Sequence, residues 1–469
     1  MKSDTINLED TICAVSTPPG VGGIAVIRVS GPQAIAVTDR IWRGKPLEET
    51  PGHTVRFGRV IDPTRGDEML DEAVATVFRN PASFTGEDVV ELSVHGSKYV
   101  QRRLLEILTG QGARLAEPGE FTRRAFANGK MDLAQAEAVA DVIASNSRAA
   151  HRLAASQMRG GFSRRLEELR DKLLDLASLL ELELDFSEEE VEFASRERLR
   201  EIATEIHDEV SRLEKSFSAG SAIKDGIPVA IVGPTNAGKS SLLNLLLGED
   251  RAIVSDIHGT TRDTIEDTLE IGDYLFRFID TAGLRETDDP IEALGIERSR
   301  QALSRAAIII SVVDASRPLP CPIDELPDAP QEIPTILLLN KSDLASGNPD
   351  GFPHSIDVDS FDYASVIHFS TKTGEGHKEL LTALTEIADR LRGTTDEDTI
   401  MVTNLRHAQA LREASASTSA ILLGLRTNLP GDLIAQDLRA TLHHLSSITG
   451  TLTTPDILAS IFSRFCIGK

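Results

Sequence analysis

The stretch VAIVGPTNAGKSSLLNLL, residues 229–246, decides the fold of the central region of this chain. Residues 233–240 have the spacing G-x-x-x-x-G-K-S of a phosphate-binding loop, between an apolar strand and a helical segment. The glycines let consecutive backbone N–H groups face one centre, where the helix presents its positive end to phosphates. Lys239 would reach the β- and γ-phosphates, and the Ser240 hydroxyl would bind Mg²⁺. The stretch therefore predicts a nucleoside triphosphate site rather than a glycine turn that matches by chance.

The base is predicted to be guanine from a second motif further along the chain. The sequence NKSD, residues 340–343, follows the apolar run 334–339. Its aspartate can accept hydrogen bonds from guanine N1–H and the exocyclic amine, a donor pair that adenine lacks, and leaving a buried carboxylate without donors is costly. The sequence STK, residues 370–372, follows the strand-like run 366–369 and is predicted to close over the guanine.

Two further motifs lie between the phosphate loop and NKSD. Residues 280–283 (DTAG) end the strand-like run 274–279, which places the aspartate near Mg²⁺ and the glycine N–H near the γ-phosphate. In the preceding GTTRD segment, Thr261 can supply a second hydroxyl for Mg²⁺. These five elements in this order predict a GTPase. Residues 228–391 resemble the translation-factor class of P-loop GTPases, which implies a Ras-like α/β domain with a mostly parallel sheet.

The catalytic water and the transition-state charge need other groups than in Ras-like enzymes. Leu284 occupies the position of the glutamine that aligns water in those enzymes. The acidic segment 284–292 offers several carboxylates, and the residues alone do not select one. The phosphate loop has no arginine to act as a finger. The Asn236 amide oxygen could ligate a monovalent cation that supplies this charge, with an ordinary hydrogen-bonding amide as the equal alternative.

Composition limits the class of protein. The chain has 469 residues, enough for about three domains. It has no apolar run near the ~20 residues of a membrane span and no signal-type segment. Cys13, Cys321 and Cys466 form no metal-ligand pattern. We therefore expect a soluble cytoplasmic protein. The net charge of −24 opposes sequence-independent nucleic-acid binding, so RNA would need a local basic patch or a basic partner.

Hydrophobic patterning predicts a multidomain chain. Strand-like runs at 23–29 and 89–94 indicate an α+β region, whereas 133–143 and 162–184 have helical spacing. The C-terminal region is helical apart from a break at 428–431 and is short for its own core. We therefore predict one helical bundle built from two chain segments, with the GTPase inserted in it. The predicted domains are 1–128 (α+β), 129–222 (first helical segment), 223–391 (GTPase) and 392–469 (second helical segment with the tail Cys466-Ile467-Gly468-Lys469).

Long strings outside the GTPase give a more specific resemblance. They are Thr17-Pro18-Pro19-Gly20 with Gly22-Gly23, and the segments 83–92, 118–126, 130–138 and 465–469. With the central motifs, these strings resemble the bacterial MnmE (TrmE) family of tRNA-modification GTPases over essentially the full length.

This resemblance implies a function beyond nucleotide binding. Members of the family hydrolyse GTP to GDP, activated by potassium and by dimerisation of the GTPase domains. They act with the flavoprotein MnmG (GidA) to add a carboxymethylaminomethyl-type group to C5 of the wobble uridine, position 34, of certain tRNAs. The implied partners are a second copy of the chain, MnmG in a heterotetramer or larger assembly, and tRNA, without a membrane. The N-terminal domain, residues 1–128, is implied to bind the folate and to hold the homodimer together. The implied cofactors are Mg²⁺, K⁺ and 5-formyl-tetrahydrofolate or a related folate, with FAD and NADH through the partner.

The resemblance also assigns roles to individual residues. It implies Glu292 as the catalytic, water-orienting residue and Cys466 as a possible reactive thiol, against the alternative of a buried small hydrophobe. Folate is implied at Arg28, Glu91, Lys130 and Lys469; K⁺ at Asn236, Ser255, Ile257 and Thr260; Mg²⁺ at Ser240 and Thr261. The full predicted GTP-binding set is Asn236, Ala237, Gly238, Lys239, Ser240, Ser241, Ser255, Asp256, Ile257, His258, Gly259, Thr260, Thr261, Asp280, Thr281, Ala282, Gly283, Asn340, Lys341, Ser342, Asp343, Ser370, Thr371 and Lys372.

Three positions depart from the family pattern. Thr235 stands where a proline is usual, with Pro234 one place earlier; His258 replaces a small residue; and position 371 is Thr. The change at Thr235 leaves the predicted potassium ligand Asn236 in place and is expected to alter the rigidity of the loop. The changes at positions 258 and 371 remove no nucleotide contact. The competing hypotheses are an RNA-binding or ribosome-assembly GTPase, which the acidic charge opposes, and a membrane-remodelling GTPase, for which the sequence shows no membrane-binding stretch.

Overall fold

Strands and helices follow one another along most of this chain. The computed structural model describes residues 9–185, 196–234, 236–249, 267–279, 303–316, 333–345, 363–393, 400–451, 455–463, 465 and 468. The chain divides into two units: residues 1–143, 157–206 and 416–469 form the first, and residues 144–156 and 207–415 form the second.

The secondary-structure elements of the described residues are numbered in chain order. The strands are β1 Ile12–Val15, β2 Gly22–Ser30, β3 Trp42–Arg43, β4 Thr54–Asp62, β5 Glu68–Phe78, β6 Val89–Gly96, β7 Arg114–Leu115, β8 Ile227–Val232, β9 Asp267–Ile271, β10 Tyr274–Ile279, β11 Ile308–Asp314, β12 Thr335–Asn340 and β13 Ser365–His368. The helices are α1 Ala34–Arg40, α2 Lys98–Gly110, α3 Glu120–Ala127, α4 Leu133–Ala144, α5 Arg148–Met158, α6 Gly161–Asp185, α7 Arg196–Lys215, α8 Phe217–Asp225, α9 Lys239–Glu249, α10 Ser342–Ala345, α11 His377–Arg392, α12 Leu405–Arg426, α13 Gly431–Thr449 and α14 Pro455–Phe462.

The first unit contains a sheet of strand order β3-β4-β5-β6-β2-β1-β7. Its strands alternate in burial because successive side chains point to opposite faces. On β2, Ala25, Ile27 and Val29 are buried in a core with residues of α1 and α2, such as Val37 and Leu104. This sheet is antiparallel except for the short parallel pairing of β1 with β7.

Among the described residues, the opposite face of this sheet carries both buried and exposed side chains. Ala14 of β1 and Phe121 of α3 belong to a small cluster there. Farther along the same face, Val55 and Phe57 of β4 are 57% and 68% exposed. We call the surface around Val55, Phe57 and the β2 residue Arg28 the open face of the N-terminal sheet. It combines apolar and charged side chains, unlike the apolar core on the other side.

Helices from both sides of the GTPase sequence pack together in the first unit. Helix α6 carries a buried leucine stripe that includes Leu166, Leu173 and Leu180, and it packs against α13. The guanidinium of Arg200 donates to the carbonyl of Leu425, at 3.3 Å from Nη2. Thus residues before and after the GTPase form one helical region, as the apolar patterning predicts.

The second unit contains a sheet of order β13-β12-β11-β8-β10-β9, parallel except for the β9–β10 pair. Strands β8, β11 and β12 are buried along their whole length, as central parallel strands are when both faces are covered. Apolar clusters lie on both faces of the sheet; one contains Val229 and Ile310, the other Val232 and Ile309.

The predicted fold class is confirmed: an α+β N-terminal region, a helical region from two chain segments and a mostly parallel sheet in the region predicted to be a GTPase. The break predicted at 428–431 is also confirmed, since α12 ends at Arg426 and α13 begins at Gly431. The domain boundaries at 128, 222 and 391 stay predictions. Within the described ranges, no helix is long and apolar enough to cross a membrane.

Candidate nucleotide-binding site

The phosphate loop lies at the carboxyl edge of the parallel sheet, where β8 ends and α9 begins at Lys239. Two of its glycines lie too close to neighbouring atoms to carry a Cβ. A Cβ at Gly233 would lie 2.1 Å from the Val312 carbonyl oxygen, and a Cβ at Gly238 would lie 2.1 Å from Asn340 Nδ2. Gly233 and Gly238 also have φ of 145° and 101°, which favour glycine. The loop therefore needs glycine at both positions of the motif.

Lys239 lies inside the curve of this loop. Its Nζ donates to the carbonyl oxygens of Gly233 at 2.8 Å and Pro234 at 2.9 Å. Burial lowers the pKa of the Lys239 ammonium. Ser240 and Ser241 follow in the first turn of α9, at the end of the helix that favours anions. This geometry presents one ammonium, hydroxyl groups and the positive end of α9 to a phosphate.

Asn340 joins the predicted base-reading motif to the phosphate loop. The side chain is only 1% exposed. Its Nδ2 donates to the Ala237 carbonyl at 2.7 Å, and its Oδ1 accepts from the Thr371 backbone N–H at 3.3 Å. One buried amide thus connects three predicted nucleotide-binding segments that are far apart in sequence.

Asp343 and Ser370 also meet, since the Ser370 hydroxyl donates to Asp343 Oδ1 at 2.8 Å. Asp343 is half-buried, and Lys372 is exposed beyond Thr371. The carboxylate that would read guanine is therefore oriented by the segment predicted to close over the base.

Two acidic residues of this edge were missed by the sequence analysis. Glu375 accepts a hydrogen bond from the Ser342 hydroxyl at 2.9 Å through Oε2, and its carbonyl accepts from the Ser370 N–H at 3.0 Å. Asp314, at the end of β11, accepts a hydrogen bond from Lys341 Nζ at 2.6 Å. The available signal for Asp314 was an aspartate that closes an apolar run; Glu375 has no comparable signal.

Several residues of the predicted site lie outside the described residues. They comprise Glu292, the residues Ser255, Asp256, Ile257, His258, Gly259, Thr260 and Thr261, and the residues Asp280, Thr281, Ala282 and Gly283. Among the described residues, no group of three or more His, Cys, Asp or Glu side chains could hold a metal ion. A magnesium ion held by one or two hydroxyls and by the phosphates of a nucleotide does not require such a group.

The residues implied for folate lie in the N-terminal sheet. Arg28 and Glu91 are register partners on β2 and β6 and form an ion pair, with Arg28 Nη2 2.8 Å from Glu91 Oε1. The Arg28 guanidinium carbon lies 5.4 Å and 5.5 Å from the ring centres of Phe84 and Phe121. Arg28 and Glu91 therefore form a half-buried ion pair on the open face of the N-terminal sheet.

Lys130 reaches the loop that carries Phe84, because its Nζ donates to the Pro81 carbonyl at 3.1 Å. The structure therefore brings Arg28 and Glu91 together. It places Lys130 against the loop between β5 and β6, whose Phe84 lies beside Arg28. Lys469 and Cys466 lie outside the described residues.

A buried ionic network lies beneath this loop. Arg124 is fully buried and pairs with Asp10, with Glu87 at 3.0 Å and with Glu120 at 3.2 Å. Burial alone would raise the pKa of the Glu120 carboxyl, but hydrogen bonds from Arg114 and the Glu117 N–H lower it overall. Such pairing is what makes a buried arginine tolerable.

The nearby Cys13 is a buried thiol. Burial raises the pKa of Cys13 to about 12, so it is not a reactive thiolate at neutral pH.

The sheet order, the phosphate loop after β8 and the NKSD motif after β12 define a P-loop guanine-nucleotide-binding domain. The rest of the chain narrows this class. Residues 11–130 match the sequence model described as GTP-binding protein TrmE N-terminus, and residues 133–466 match that of the MnmE helical domain. The chain belongs to the MnmE family of tRNA modification GTPases, and it is a GTP hydrolase.

Two curated relatives are similar to this chain over nearly its whole length. The tRNA modification GTPase MnmE of Parabacteroides distasonis is 53% identical over 468 residues, covering 98% of this chain and 100% of the relative. That of Porphyromonas gingivalis is 50% identical over 471 residues, covering 98% of each chain.

Two solved structures are similar to parts of this chain. The G domain of the T. maritima FeoB iron transporter is 25% identical, covers 35% of this chain and 99% of its own, and gives a TM-score of 0.25. A GTP-binding protein from Sulfolobus solfataricus in complex with GDP is 17% identical, covers 62% of this chain and 77% of its own, and gives a TM-score of 0.27.

Proposed function

We propose that this protein hydrolyses GTP in a potassium-dependent manner and, with a flavoprotein partner, modifies C5 of the wobble uridine of certain tRNAs. The group added is of the carboxymethylaminomethyl type. The observation that carries the GTP assignment is Asn340, whose buried amide bonds both the phosphate loop and the segment after β13. The tRNA assignment is supported by family membership, and a cytoplasmic location follows from the substrates, GTP and tRNA.

The nucleotide-binding residues in this proposal are the set predicted from the motifs. Lys239 binds the β- and γ-phosphates, Asp343 reads the base, and Ser240 with Thr261 holds Mg²⁺. Glu292 orients the attacking water. These assignments place the positive groups of the loop around the phosphates, where charge develops during phosphoryl transfer.

Potassium binding is proposed at Asn236, with oxygens of Ser255, Ile257 and Thr260. Asn236 is exposed at the mouth of the phosphate loop and has φ of 64°. An amide oxygen in this position is a suitable ligand for a monovalent cation. Bound there, the cation would supply positive charge next to the phosphates, a role that arginine fills in other GTPases.

The test of the potassium assignment compares initial hydrolysis rates in KCl and NaCl at equal ionic strength. We expect the rate in KCl to be higher by at least about tenfold, because preorganised charge at a transition state contributes ~10²–10³ in rate. Asn236→Ala should abolish the difference. The matched control is Asn244→Ala, because Asn244 lies on α9 beyond the phosphate loop. This variant should keep the difference in rate between KCl and NaCl. Equal rates in the two salts would contradict the proposal.

A folate, 5-formyl-tetrahydrofolate or a relative, is proposed at Arg28, Glu91, Lys130 and Lys469. The chemistry of this set suits the ligand: a carboxylate can accept ring N–H groups of a pterin, and cationic side chains can pair with the carboxylates of its glutamate. The Phe84 and Phe121 rings beside Arg28 supply apolar surface. FAD and NADH enter the reaction through the flavoprotein partner, MnmG, in a heterotetramer or larger assembly.

A homodimer is proposed through the N-terminal region, supported by the open face. A face with Phe57 68% exposed and Val55 57% exposed beside a charged pair has the mixture of apolar and polar groups found in interfaces. Phe57→Glu should convert a dimer to a monomer in size-exclusion chromatography with light scattering. Leu423→Glu, at a leucine that is 61% exposed in α12, is the matched control and should stay dimeric. A dimeric Phe57→Glu protein would remove this face from the interface.

A further inference from the structure

Two residues at the nucleotide site have left-handed backbone conformations although neither is glycine. Asn236 in the phosphate loop has φ of 64°, and Lys341 in the NKSD motif has φ of 63°. Such conformations are uncommon for residues with a Cβ and persist where surrounding contacts hold them. The contacts around these two residues therefore matter for the shape of the site.

One side chain links the two residues. Lys341 Nζ donates to the Asn236 carbonyl oxygen at 3.0 Å and to Asp314 Oδ2 at 2.6 Å. The lysine thus extends from the base-reading motif to the phosphate loop, and its ammonium is held between a carbonyl dipole and a carboxylate.

Asp314 is itself rigidly placed. Its other oxygen, Oδ1, accepts hydrogen bonds from Ser316 N at 3.0 Å and Ser316 Oγ at 2.6 Å. In the sheet, Asp314 of β11 is the register partner of Asn340 of β12, and the Ala315 N–H donates to the Asn340 carbonyl at 2.8 Å. The carboxylate is therefore fixed by two strands and a turn before it meets the lysine.

The ion pair is shielded from water. The Asp314 and Lys341 side chains are 11% and 29% exposed. Burial by itself would raise the pKa of the Asp314 carboxyl, but the hydrogen bonds from Lys341 and Ser316 lower it overall. Asp314 is thus charged at neutral pH and opposite the ammonium.

We propose that Asp314 is a positioning residue for the guanine nucleotide, whose carboxylate holds Lys341 across the site so that the base-reading motif and the phosphate loop keep one fixed spacing. This inference rests on the guanine-nucleotide site proposed above. The alkyl chain of Lys341 then lies ready to cover the guanine ring. Asp314 acts through Lys341 and touches no nucleotide atom.

The test is a double-mutant cycle on the affinity of the full-length protein for fluorescent GDP. Asp314→Asn keeps the shape of the side chain and removes its charge. We expect it to raise the Kd by about tenfold, the scale of one charge-assisted contact. kcat at saturating GTP should change much less. In a Lys341→Met background, the same substitution should change the Kd by less than about twofold, because the partner is gone.

A purely structural role would give a different pattern. Equal effects of Asp314→Asn in both backgrounds, or a Kd unchanged in the single variant, would overturn the inference. Asp389→Asn is the matched control: Asp389 accepts a hydrogen bond from Tyr274 in the same unit at 2.7 Å. This control should lower the melting temperature and leave the Kd unchanged.

Two further variants keep the test decisive. If Asp314→Asn fails to fold, Ser316→Ala loosens the same carboxylate, and the expected rise in Kd is about two- to threefold, again absent with Lys341→Met. If Lys341→Met and Asp343→Ala both leave GDP affinity unchanged, the proposed nucleotide site is wrong. If both weaken binding and Asp314→Asn does not, only the role of Asp314 is wrong.

Discussion

Substitution of Gly238 by alanine tests the geometry of the nucleotide site most severely. Gly238 has φ of 101°, and its added Cβ would lie 2.1 Å from Asn340 Nδ2. A left-handed conformation costs an L-residue about 1–2 kcal/mol. The Asn340 amide would also have to move away from Ala237 O, its acceptor at 2.7 Å, and losing a buried hydrogen bond costs about 1–3 kcal/mol.

These costs add to about 2–5 kcal/mol. A bound nucleotide requires the loop arrangement seen here, so the cost of restoring that arrangement in the variant is expected to appear as weaker binding. At about 1.4 kcal/mol per factor of ten, we expect GDP to bind at least about 30-fold more weakly to Gly238→Ala. The assay is equilibrium titration with fluorescent GDP at fixed Mg²⁺, with thermal unfolding recorded on the same samples.

The matched control is Gly248→Ala in α9. No atom lies within 4 Å of a Cβ at Gly248. Alanine there should stabilise the helix by about 0.5–1 kcal/mol and leave GDP affinity unchanged. A Gly238→Ala protein that binds GDP within about threefold of the wild type would refute the reasoning about close approach.

Further predictions concern catalysis, folate and pH. Glu292→Ala should bind GTP normally and lose about 100-fold or more in kcat. Glu286→Ala, in the same segment, is the control and should hydrolyse GTP normally. If Glu292→Ala hydrolyses GTP at the normal rate in single-turnover assays, Glu292 is not part of the mechanism. Glu91→Gln should weaken binding of 5-formyl-tetrahydrofolate by about tenfold in calorimetry. Glu72 pairs with Arg59 at the surface, so Glu72→Gln is the control and should leave folate binding unchanged. Unchanged binding by both variants would count against this site. Because the folded-state pKa of Glu120 is lowered from 4.5, its contribution to stability is fully present above that pH and is lost as pH falls through the folded value. Urea denaturation between about pH 5 and about pH 3 should therefore show a shallower loss of stability in Glu120→Gln than in the wild type, and equal slopes would contradict this.

Much of the central domain was predictable from sequence because its signals are local. Continuous apolar runs predicted the buried strands β8 and β12, and the run 274–279 predicted β10 with its observed bounds, Tyr274–Ile279. The phosphate loop and NKSD were placed by their spacing. The structure then brought these segments to one edge, since the carboxyl ends of parallel strands meet there.

The contacts that depend on strand order could not be predicted. Asp314 meets Lys341 only because β11 lies beside β12 in the sheet. The pair of Arg28 with Glu91 depends on the antiparallel register of β2 and β6, which neither strand specifies alone. The burial of Arg124 among three carboxylates joins α3 to residues that are distant in sequence. In the sequence, Arg28, Glu91 and Arg124 resemble ordinary surface charges.

We propose that the GTP site of this chain serves modification of the wobble uridine. The direct measurement is nucleoside analysis of tRNA from a strain that lacks the gene, complemented with the wild type or with Lys239→Ala. We expect the strain without the gene to lack the C5-modified uridine, the wild type to restore it, and Lys239→Ala to leave it absent. Modified wobble uridines in the strain without the gene, or full restoration by Lys239→Ala, would contradict the claim.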